Sequence, residues 1–429
     1  MKNIILSQKI ERDILRERGY IPRDGLDAAR GVMDNVLIKV VIGPRRAGKS
    51  VFSLQMLQGR DFAYVNFDDE RLLGLTDFDG LLMAIAQVYG DVRTIFFDEI
   101  QNIAGWELFV NRLHRQGYNL VLTGSNAHLL SRELATHLTG RYREFRLFPF
   151  SFGEYLRAKG FTMDDTIVLR ERQGVLLNHL ETYLHSGGFP DTVVGGIEPG
   201  NYLAALFESV LLKDVVRRYN VRYAGRLLEL GRYMVANHAR EYTFTSVGKA
   251  LGFRSVNTLE NYLGYLAEAF LLFSVYRFSW KARARIQAPR KVYAFDPGFI
   301  AAVGFRAGAD SGRLFESLVA IELARRGQEF YTYKDPGGKE VDFVVRDGGV
   351  TSDLIQVCYD LSDPKTRKRE VSGLLRAAED LACESLLVLT WEEEDEIAVQ
   401  GKTIRLLPAW KWLTGSGVKP VSLYDQRQF

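Results

Sequence analysis

The sequence predicts an α/β protein built on a parallel sheet, and three observations support this fold class. An apolar, β-branched run over Leu37–Ile42 leads into a glycine-rich loop, and the stretch Ser50–Gln58 after it has helical character. Short apolar runs then alternate with amphipathic stretches as far as residue 150. The chain has 429 residues, enough for about three domains. Strands that alternate with helices form parallel sheets, and such sheets bind ligands at the carboxyl ends of their strands.

The loop after the first strand matches the phosphate-binding pattern G-x-x-x-x-G-K-[ST] at every position. Its residues are Gly43, Pro44, Arg45, Arg46, Ala47, Gly48, Lys49 and Ser50, and we expect Val51 to join them in binding nucleotide. Glycines let the backbone curl around an anion, and the loop amides and helix N-terminus direct positive dipoles toward phosphate. We expect Lys49 to reach the β- and γ-phosphates and Ser50 to bind Mg²⁺. A glycine-rich turn without a ligand is the alternative.

The remaining elements of this first domain follow from the same alternation. Strands are predicted at Asp61–Phe67, Thr94–Phe97, Leu120–Thr123 and Glu144–Phe148. Helices are predicted at Leu6–Arg18, Arg71–Val88, Trp106–Gln116 and Leu129–Leu138. The polar residues that follow the buried strands are therefore candidates for the site.

Three groups of residues fall at such positions. Asp98 and Glu99 follow an apolar strand, where a buried charge is costly unless it meets a cation or a polar ligand. Asp98 would hold Mg²⁺, and Glu99 would act as general base on the attacking water. Ser125 and Asn126 follow the next strand and could orient water or the γ-phosphate, although both are also ordinary turn residues. Arg141 could reach a γ-phosphate in its own or a neighbouring subunit, or could be one more exposed arginine.

These segments, GPRRAGKS, FFDEIQN, LTGSN and LTGRYREFRLFPFSFGEYL, together resemble the AAA+-like archaeal and bacterial ATPases. The resemblance implies that Lys49 and Ser50 contact nucleotide and Mg²⁺, that Glu99 is the base and that Ser125 or Asn126 is the sensor. It also places Arg141 in the arginine-finger region. We expect an ATPase core over residues 1–150 and a helical lid over 151–222 that packs on it.

A winged-helix domain is predicted over residues 223–305. Thr245–Leu251 and Val256–Ala269 read as two helices joined by a short glycine turn, and two strands around a basic loop follow as the wing. Val256, Leu259, Leu263 and Leu266 form the predicted buried stripe of the second helix. Candidate contacts to double-stranded DNA are Arg254, Asn257, Asn261, Arg283, Arg285, Arg290 and Lys291. A winged helix used for packing or protein contact is the alternative, and Glu260 on the would-be reading face favours it.

The C-terminal region, residues 306–429, is predicted to be a degenerate nuclease-like α/β domain. A helix with Glu316, a strand with Asp342 and a third strand with Gln356 follow the layout of the metal nucleases called PD-(D/E)xK, whose fold is that of restriction endonucleases. The pattern departs from that layout because an amide stands at Gln356 and a thiol at Cys358 replaces the lysine. The whole chain resembles ATPases fused to a C-terminal domain of unknown function with winged-helix and nuclease-like parts.

Composition limits the remaining possibilities. The net charge is +3, so nucleic-acid binding would need a local basic patch. The two cysteines, Cys358 and Cys383, form no metal or disulfide pattern, and no stretch has the ~18 apolar residues of a membrane helix. We therefore expect a cytoplasmic, Mg²⁺-dependent ATPase without membrane contact, whose partners are ATP and double-stranded DNA and which could form a homo-oligomer. The alternatives are a scaffold ATPase that binds a protein partner and an active nuclease.

Overall fold

The computed structural model describes residues 1–125, 140–304 and 311–415, and its chain divides into two units. The first unit comprises Met1–Pro149 with Glu268–Phe270, and the second comprises Phe150–Ala267 with Leu271–Phe429. The predicted winged-helix and nuclease-like regions therefore share one unit, apart from the three residues Glu268–Phe270. Among the described residues, no helix has the length and apolar character that crossing a bilayer requires.

The first unit is built on a five-stranded sheet in which every pairing is parallel. Its strands are β1 (Ile38–Ile42), β2 (Ala63–Asn66), β3 (Thr94–Asp98), β4 (Asn119–Gly124) and β5 (Tyr142–Arg146), in the order β2-β3-β4-β1-β5. The register places Ile42 beside Gly124, so the end of β1 and the end of β4 lie at the same edge. This arrangement confirms the predicted parallel sheet.

Helices of the first unit connect or flank these strands. They are α1 (Lys2–Glu17), α2 (Leu26–Gly31), α3 (Lys49–Met56), α4 (Phe78–Tyr89) and α5 (Trp106–Arg115). Helix α5 contributes buried apolar side chains such as Trp106 and Phe109. All of β1 and the Ile95–Phe97 part of β3 are also buried. The helix predicted at Leu129–Leu138 lies outside the described residues.

The predicted lid region is helical, and it belongs to the second unit. Its helices are Phe152–Ala158, Arg170–Ser186, Pro190–Val193 and Pro199–Val210, followed by a π-helical turn at Leu211–Val216. Within this unit the backbone amide of Gly188 donates to the Asp296 carboxylate at 2.9 Å, and Phe189 packs against Phe299. These contacts join the lid region to later parts of the same unit.

Next comes a helical group with a small antiparallel sheet. Its helices are Ala224–Ala236, Phe244–Leu251, Val256–Glu268 and Ala282–Gln287, and its strands are β6 (Glu241–Tyr242), β7 (Leu272–Tyr276) and β8 (Arg290–Ala294), in the order β6-β8-β7. The helix predicted to start near Thr245 is capped two residues earlier by Thr243, which forms a capping box with Ser246. Between β7 and β8 the predicted basic loop is a short helix.

The C-terminal part contains a mixed six-stranded sheet. Its strands are β9 (Glu329–Lys334), β10 (Glu340–Asp347), β11 (Val350–Cys358), β12 (Leu386–Thr390), β13 (Asp395–Val399) and β14 (Lys402–Pro408), in the order β13-β14-β12-β11-β10-β9. The accompanying helices are Pro297–Val303, Ser311–Arg325, Pro364–Leu381 and Ala409–Leu413. The backbone amide of Phe278, just beyond β7, donates to the carbonyl oxygen of Thr332 in β9, so an isolated bridge links the chain after β7 to the edge of the large sheet.

Candidate functional site

The loop between β1 and α3 is a tight cradle. Gly43 has φ +156°, and a Cβ at this position would lie 2.0 Å from the carbonyl oxygen of Leu147. Gly48 adopts a left-handed conformation with φ +90° directly before α3. The first amides of a helix have no intrahelical acceptor, and the helix dipole adds positive potential there. The loop therefore has the shape and polarity of an anion-binding site.

The other loop residues surround Lys49 or begin α3. The ammonium of Lys49 donates to the Pro44 carbonyl oxygen at 3.2 Å, and the Arg45 guanidinium lies 3.8 Å from the Asp68 carboxylate. Arg46 has φ +68°, an uncommon conformation for a residue other than glycine. Ala47 and the Lys49 side chain are buried, whereas Val51 is partly exposed in the first turn of α3.

Asp98 is the buried carboxylate at the end of β3. It accepts hydrogen bonds from Ser50 Oγ at 3.0 Å, from the Tyr64 hydroxyl at 3.1 Å and from the Thr123 hydroxyl. Burial and the neighbouring charge of Glu99 raise the pKa of Asp98 to about 6, against the opposing effects of Thr123, Ser50 and Lys49. The structure thus brings together the two predicted Mg²⁺ ligands, Ser50 and Asp98.

Glu99 follows directly and lies close to the phosphate-loop lysine. Its backbone is left-handed, with φ 51° and ψ 46°, and its amide donates to Thr123 Oγ1 at 2.9 Å. Its carboxylate lies 3.4 Å from Lys49 Nζ and accepts from Gln101 Nε2 at 2.5 Å. Burial on its own would raise the pKa of Glu99, but Lys49, Gln101 and Arg45 hold the pKa below its ordinary value. A non-glycine residue in this conformation carries backbone strain of the kind found at functional sites.

The sensor candidates lie beyond the end of β4. Ser125 is buried, and its hydroxyl oxygen lies 3.4 Å from Gln101 Nε2, the group that also contacts Glu99. Ser125 is therefore linked to the candidate base through Gln101. Asn126 lies outside the described residues.

Arg141 is placed differently from the other candidates. It precedes β5, and its carbonyl oxygen accepts from the amide of Ile38 at the start of β1. Since β1 and β5 are parallel, Arg141 lies at the amino-terminal edge of the sheet, a five-residue strand (roughly 15 Å) from the edge that carries the phosphate loop. Its guanidinium donates to Asn111 Oδ1 at 2.8 Å. This position does not fit the cis role on the chain's own nucleotide; the role in trans stays a prediction.

Four residues near the site were missed from the sequence. Tyr64, Gln101 and Thr123 contact Asp98 or Glu99, and buried Arg23 donates to the carbonyl oxygens of Ala47 at 2.8 Å and Phe148 at 2.6 Å. Thr123 ends the predicted strand Leu120–Thr123, so the convergence of parallel strand ends could have identified it. Nothing local in the stretch YIPRDG marks Arg23, because its two acceptors are 24 and 125 residues away.

This donor set fits a magnesium–nucleotide complex. Mg²⁺ prefers oxygen ligands, takes few of them from the protein and keeps several waters. Ser50 and Asp98 supply two oxygens, and among the described ranges no group of three or more His, Cys, Asp or Glu side chains forms a metal cage. The glycine cradle beside them has the backbone conformation that phosphate binding requires.

The predicted nuclease residues also meet, but around a lysine from another element. Lys291 of β8 places its ammonium 2.8 Å from Glu316 Oε1 and 3.4 Å from Asp342 Oδ1. The Tyr293 hydroxyl donates to the same Glu316 oxygen at 2.7 Å. Burial and the charge of Asp342 raise the pKa of Glu316 to about 7, against the effect of Lys291. Although burial would lower the pKa of Lys291, Asp342 and Glu316 raise it above its ordinary range.

Strand β11 contacts Asp342 through a side chain and through a backbone amide. Gln356 Oε1 accepts from the amide of Asp342 at 3.2 Å, and the amide of Val357 donates to Asp342 Oδ2 at 3.0 Å. Burial raises the pKa of the Cys358 thiol to about 11, so the group stays neutral, and a thiol cannot replace the positive charge of a lysine in either protonation state. Lys291, predicted as a DNA contact, places its ammonium against two carboxylates of the same unit, and this geometry does not support that prediction.

The other DNA candidates divide into two groups. Arg254, Asn257, Asn261 and Arg283 are exposed. Arg285 is partly buried with its guanidinium 5.6 Å from the Tyr331 ring, and Arg290 lies over the rings of Tyr276 and Phe244. The helix Val256–Glu268 buries Leu259, Tyr262 and Leu266, whereas Val256 is 50% exposed and does not belong to the buried stripe.

A parallel sheet with a phosphate loop after β1 and an acidic pair after β3 defines the first unit as a P-loop ATPase domain. A family model described as an AAA domain matches residues 35–156. Two models for domains of unknown function, DUF8612 and DUF4143, match residues 177–311 and 311–412. The chain therefore combines an AAA-type domain with C-terminal domains to which no function is assigned.

The chain belongs to the family of the uncharacterized protein MJ1544 of Methanocaldococcus jannaschii. The two are 33% identical over 398 residues, which cover 87% of this chain and 88% of that protein. An uncharacterized protein of Haemophilus influenzae is 28% identical over 396 residues, 88% of this chain and 94% of its own length. Among solved structures, the Walker-type ATPase PABY2304 of Pyrococcus abyssi is similar with a TM-score of 0.43 and 15% identity, covering 66% of this chain and 96% of that one.

Proposed function

We propose that this protein is a Mg²⁺-dependent ATPase whose nucleotide state controls its C-terminal module. The observation that carries the proposal is the meeting of two pairs beside the glycine cradle. The Ser50 hydroxyl donates to Asp98 at 3.0 Å, and the Lys49 ammonium lies 3.4 Å from Glu99. ATP is the expected nucleotide because no stretch of the sequence resembles a guanine-selective motif.

Each residue has a distinct task in this proposal. Lys49 neutralises charge on the β- and γ-phosphates, and Glu99, kept ionised by its surroundings, accepts a proton from the attacking water. Thr123 holds both the Asp98 side chain and the Glu99 backbone, and Gln101 orients the Glu99 carboxylate. Mg²⁺, when bound through Ser50 and Asp98, would supply charge neutralisation at the phosphates.

Calorimetry on the purified protein tests the proposal. We expect saturable binding of Mg-ATP to the wild type and loss of binding in Lys49→Ala, because the β- and γ-phosphates lose their ammonium partner. The matched control is Lys39→Ala, which removes a lysine of the neighbouring strand β1 whose ammonium contacts Asn35 and Asn119 instead. Absence of heat from the folded wild type with ATP and magnesium would overturn the proposal.

The proposed target of the module is double-stranded DNA. Two-helix topology followed by a small antiparallel sheet supports a winged-helix assignment, and Asn257 and Asn261 are exposed four residues apart, on one helix face. Arg254 precedes this helix and would contact a phosphate or a base edge. Arg283, also exposed, would contact the DNA backbone.

Fluorescence anisotropy with a labelled duplex tests this part separately. We expect binding at low salt that weakens steeply with added salt, and a loss of affinity in the variant Arg254→Ala/Asn257→Ala. The titration is run without nucleotide, with ATP on Glu99→Gln and with ADP. If affinity is identical in all three states, nucleotide control is refuted while DNA contact stands; if no duplex binds at low salt, a protein partner becomes the better hypothesis.

We do not propose an active nuclease. Lys291 lies within contact distance of both Glu316 and Asp342, where a metal ion would have to bind them. Cleavage of DNA by the wild type in Mg²⁺ or Mn²⁺, lost in Asp342→Ala, would contradict this position.

A further inference from the structure

An exposed aromatic cluster lies beside the short basic helix between β7 and β8. Trp280 is 67% exposed, although large aromatic side chains are usually mostly buried. Phe278 supports it edge-on at a ring-centroid distance of 5.0 Å, and Phe278 in turn contacts Tyr331 at 5.6 Å. Hydrogen bonding of the Phe278 amide to Thr332 of β9, at 2.7 Å, fixes the backbone of this segment. The tryptophan is thus presented on a rigid base rather than on a free loop.

Positive charge surrounds this cluster. The Arg346 guanidinium lies 5.5 Å from the Trp280 ring and 5.6 Å from the Phe278 ring. Residues 277–291 include six basic and no acidic side chains. Arg277 is paired with Glu241, Lys291 with Glu316 and Asp342, and Arg290 packs over aromatic rings. Lys281 and Arg283 remain exposed beside the tryptophan, with Arg285 partly exposed over Tyr331.

We propose that Trp280, with Lys281, Arg283 and Arg285, binds single-stranded nucleic acid, the ring stacking on a base and the cations contacting the backbone. Base stacking on aromatic side chains combined with basic residues along the backbone is how proteins bind single strands without sequence preference. Bases inside a duplex are already stacked on one another, so an exposed tryptophan matches an unpaired base better than a duplex. The inference deepens the proposed DNA contact because it shares Arg283 with it.

A membrane surface suits this site less well. Membrane-surface helices bury a broad apolar face in the interface, whereas the helix Ala282–Gln287 has six residues and one large apolar side chain, Ile286. The neighbouring acidic residue, Glu329, is engaged by the Tyr331 hydroxyl at 2.7 Å and by Arg346 at 3.6 Å. It therefore does not present an unpaired negative charge to a nucleic-acid backbone.

The test uses the full-length protein and a fluorescein-labelled 12-nucleotide oligothymidylate. We expect binding at low salt, and a loss of about 5- to 150-fold in Trp280→Ala, the range measured for removal of one base-stacking ring. Trp280→Phe should retain most of the affinity because a ring remains. Arg283→Gln should reduce the slope of log affinity against log salt by about 0.7, the value for one phosphate contact on a single strand.

Controls separate this inference from the others. Val350→Ala shortens another exposed apolar side chain and should leave oligothymidylate binding unchanged. Arg254→Ala/Asn257→Ala should lose duplex binding but keep oligothymidylate binding, so a failure of the duplex proposal is distinguishable. Equal affinity of Trp280→Ala and wild type for oligothymidylate would overturn the inference. So would binding to phosphatidylglycerol vesicles that depends on Trp280 without binding to the oligonucleotide.

Discussion

Two clusters in this chain each contain two carboxylates and one lysine. In the first unit, Lys49 lies 3.4 Å from Glu99, while neighbouring Asp98 is bonded by hydroxyl groups. In the second unit, Lys291 contacts both Glu316 and Asp342, and a tyrosine hydroxyl and a backbone amide complete the set. The residue types are nearly the same, but the lysine satisfies one carboxylate in the first cluster and two in the second.

This difference suits the first cluster to binding a ligand and the second to stabilising the fold. Lys49 begins a helix beside a glycine cradle, so a phosphate can compete with Glu99 for its ammonium. Lys291 arises from β8 and its carboxylate partners from a helix and from β10, so the ion pairs join three elements of the second unit. A buried charge whose partner is removed is strongly destabilising, and such a cluster is better suited to fixing structure than to exchanging ligands.

The largest expected effect is on turnover, and it should distinguish the two clusters. Glu99→Gln removes the proposed base, so we expect kcat for ATP to fall by about 10²- to 10⁴-fold with ATP still bound. Glu316→Gln should leave kcat within about twofold, because that carboxylate belongs to the internal cluster. Phosphate release and calorimetry measure the two quantities. Normal turnover in Glu99→Gln would remove its role as base.

The second effect is on stability. Lys291→Met leaves two buried carboxylates without their cation, and we expect a loss of about 3–5 kcal/mol in the free energy of unfolding, measured by urea denaturation. The double variant Lys291→Met/Glu316→Gln should recover part of this loss, since Asp342 is then the only one of the two carboxyl groups left without its cation. If single and double variants lose the same amount, Lys291 contributes packing rather than charge.

The pH dependence of the free energy of unfolding tests the same cluster without removing Lys291. Because burial and Asp342 raise the pKa of Glu316 to about 7, the folded protein holds a proton that the unfolded chain releases near ~4.3. The free energy of unfolding therefore falls as pH rises between these values. From pH 5 to 7.5 we expect wild type to lose about 1–3 kcal/mol relative to Glu316→Gln, in which this group no longer titrates.

Comparing the unfolding free energies of wild type and Glu316→Gln removes the contributions of the other buried acidic residues. Asp98 and Asp296, whose pKa values burial raises to about 6 and about 7, are present in both proteins and drop out of the difference. Glu260→Gln, a substitution of an exposed glutamate, is the matched control. A difference between wild type and Glu316→Gln that stays constant over this pH range would contradict the assignment.

The two clusters also differ in how much of each the sequence could predict. Lys49, Ser50, Asp98 and Glu99 were predictable because the phosphate-loop pattern is local and parallel strand ends converge. Glu316 and Asp342 were correctly expected to come together, but Lys291 was assigned to DNA. Its position beside a basic helix resembles a surface patch, and its carboxylate partners are 25 and 51 residues away. Ion pairs between distant elements leave no periodic signal in a sequence.

The same reasoning explains why the sheet edge that Arg141 occupies could not be predicted. Its distance from the phosphate loop is set by strand direction and register, because β5 begins beside the start of β1 rather than its end. A motif near the start of a strand can be recognised by its letters alone, yet which sheet edge it occupies follows only from the topology.

The smallest expected effect is the change in Mg-ATP affinity with pH at the first cluster. Burial and Glu99 raise the pKa of Asp98 to about 6, and an ionised carboxylate is the form that binds Mg²⁺. At pH 5.5 about a quarter of Asp98 is ionised and at pH 7.5 nearly all, so Mg-ATP affinity should rise about fourfold between them, measured by calorimetry. In Asp98→Asn, ATP itself still titrates, but the carboxylate at position 98 no longer does. The rise in Mg-ATP affinity between the two pH values should therefore be about fourfold smaller than in the wild type. An identical pH dependence in both proteins would show that Asp98 is already ionised at pH 5.5 or does not face the metal.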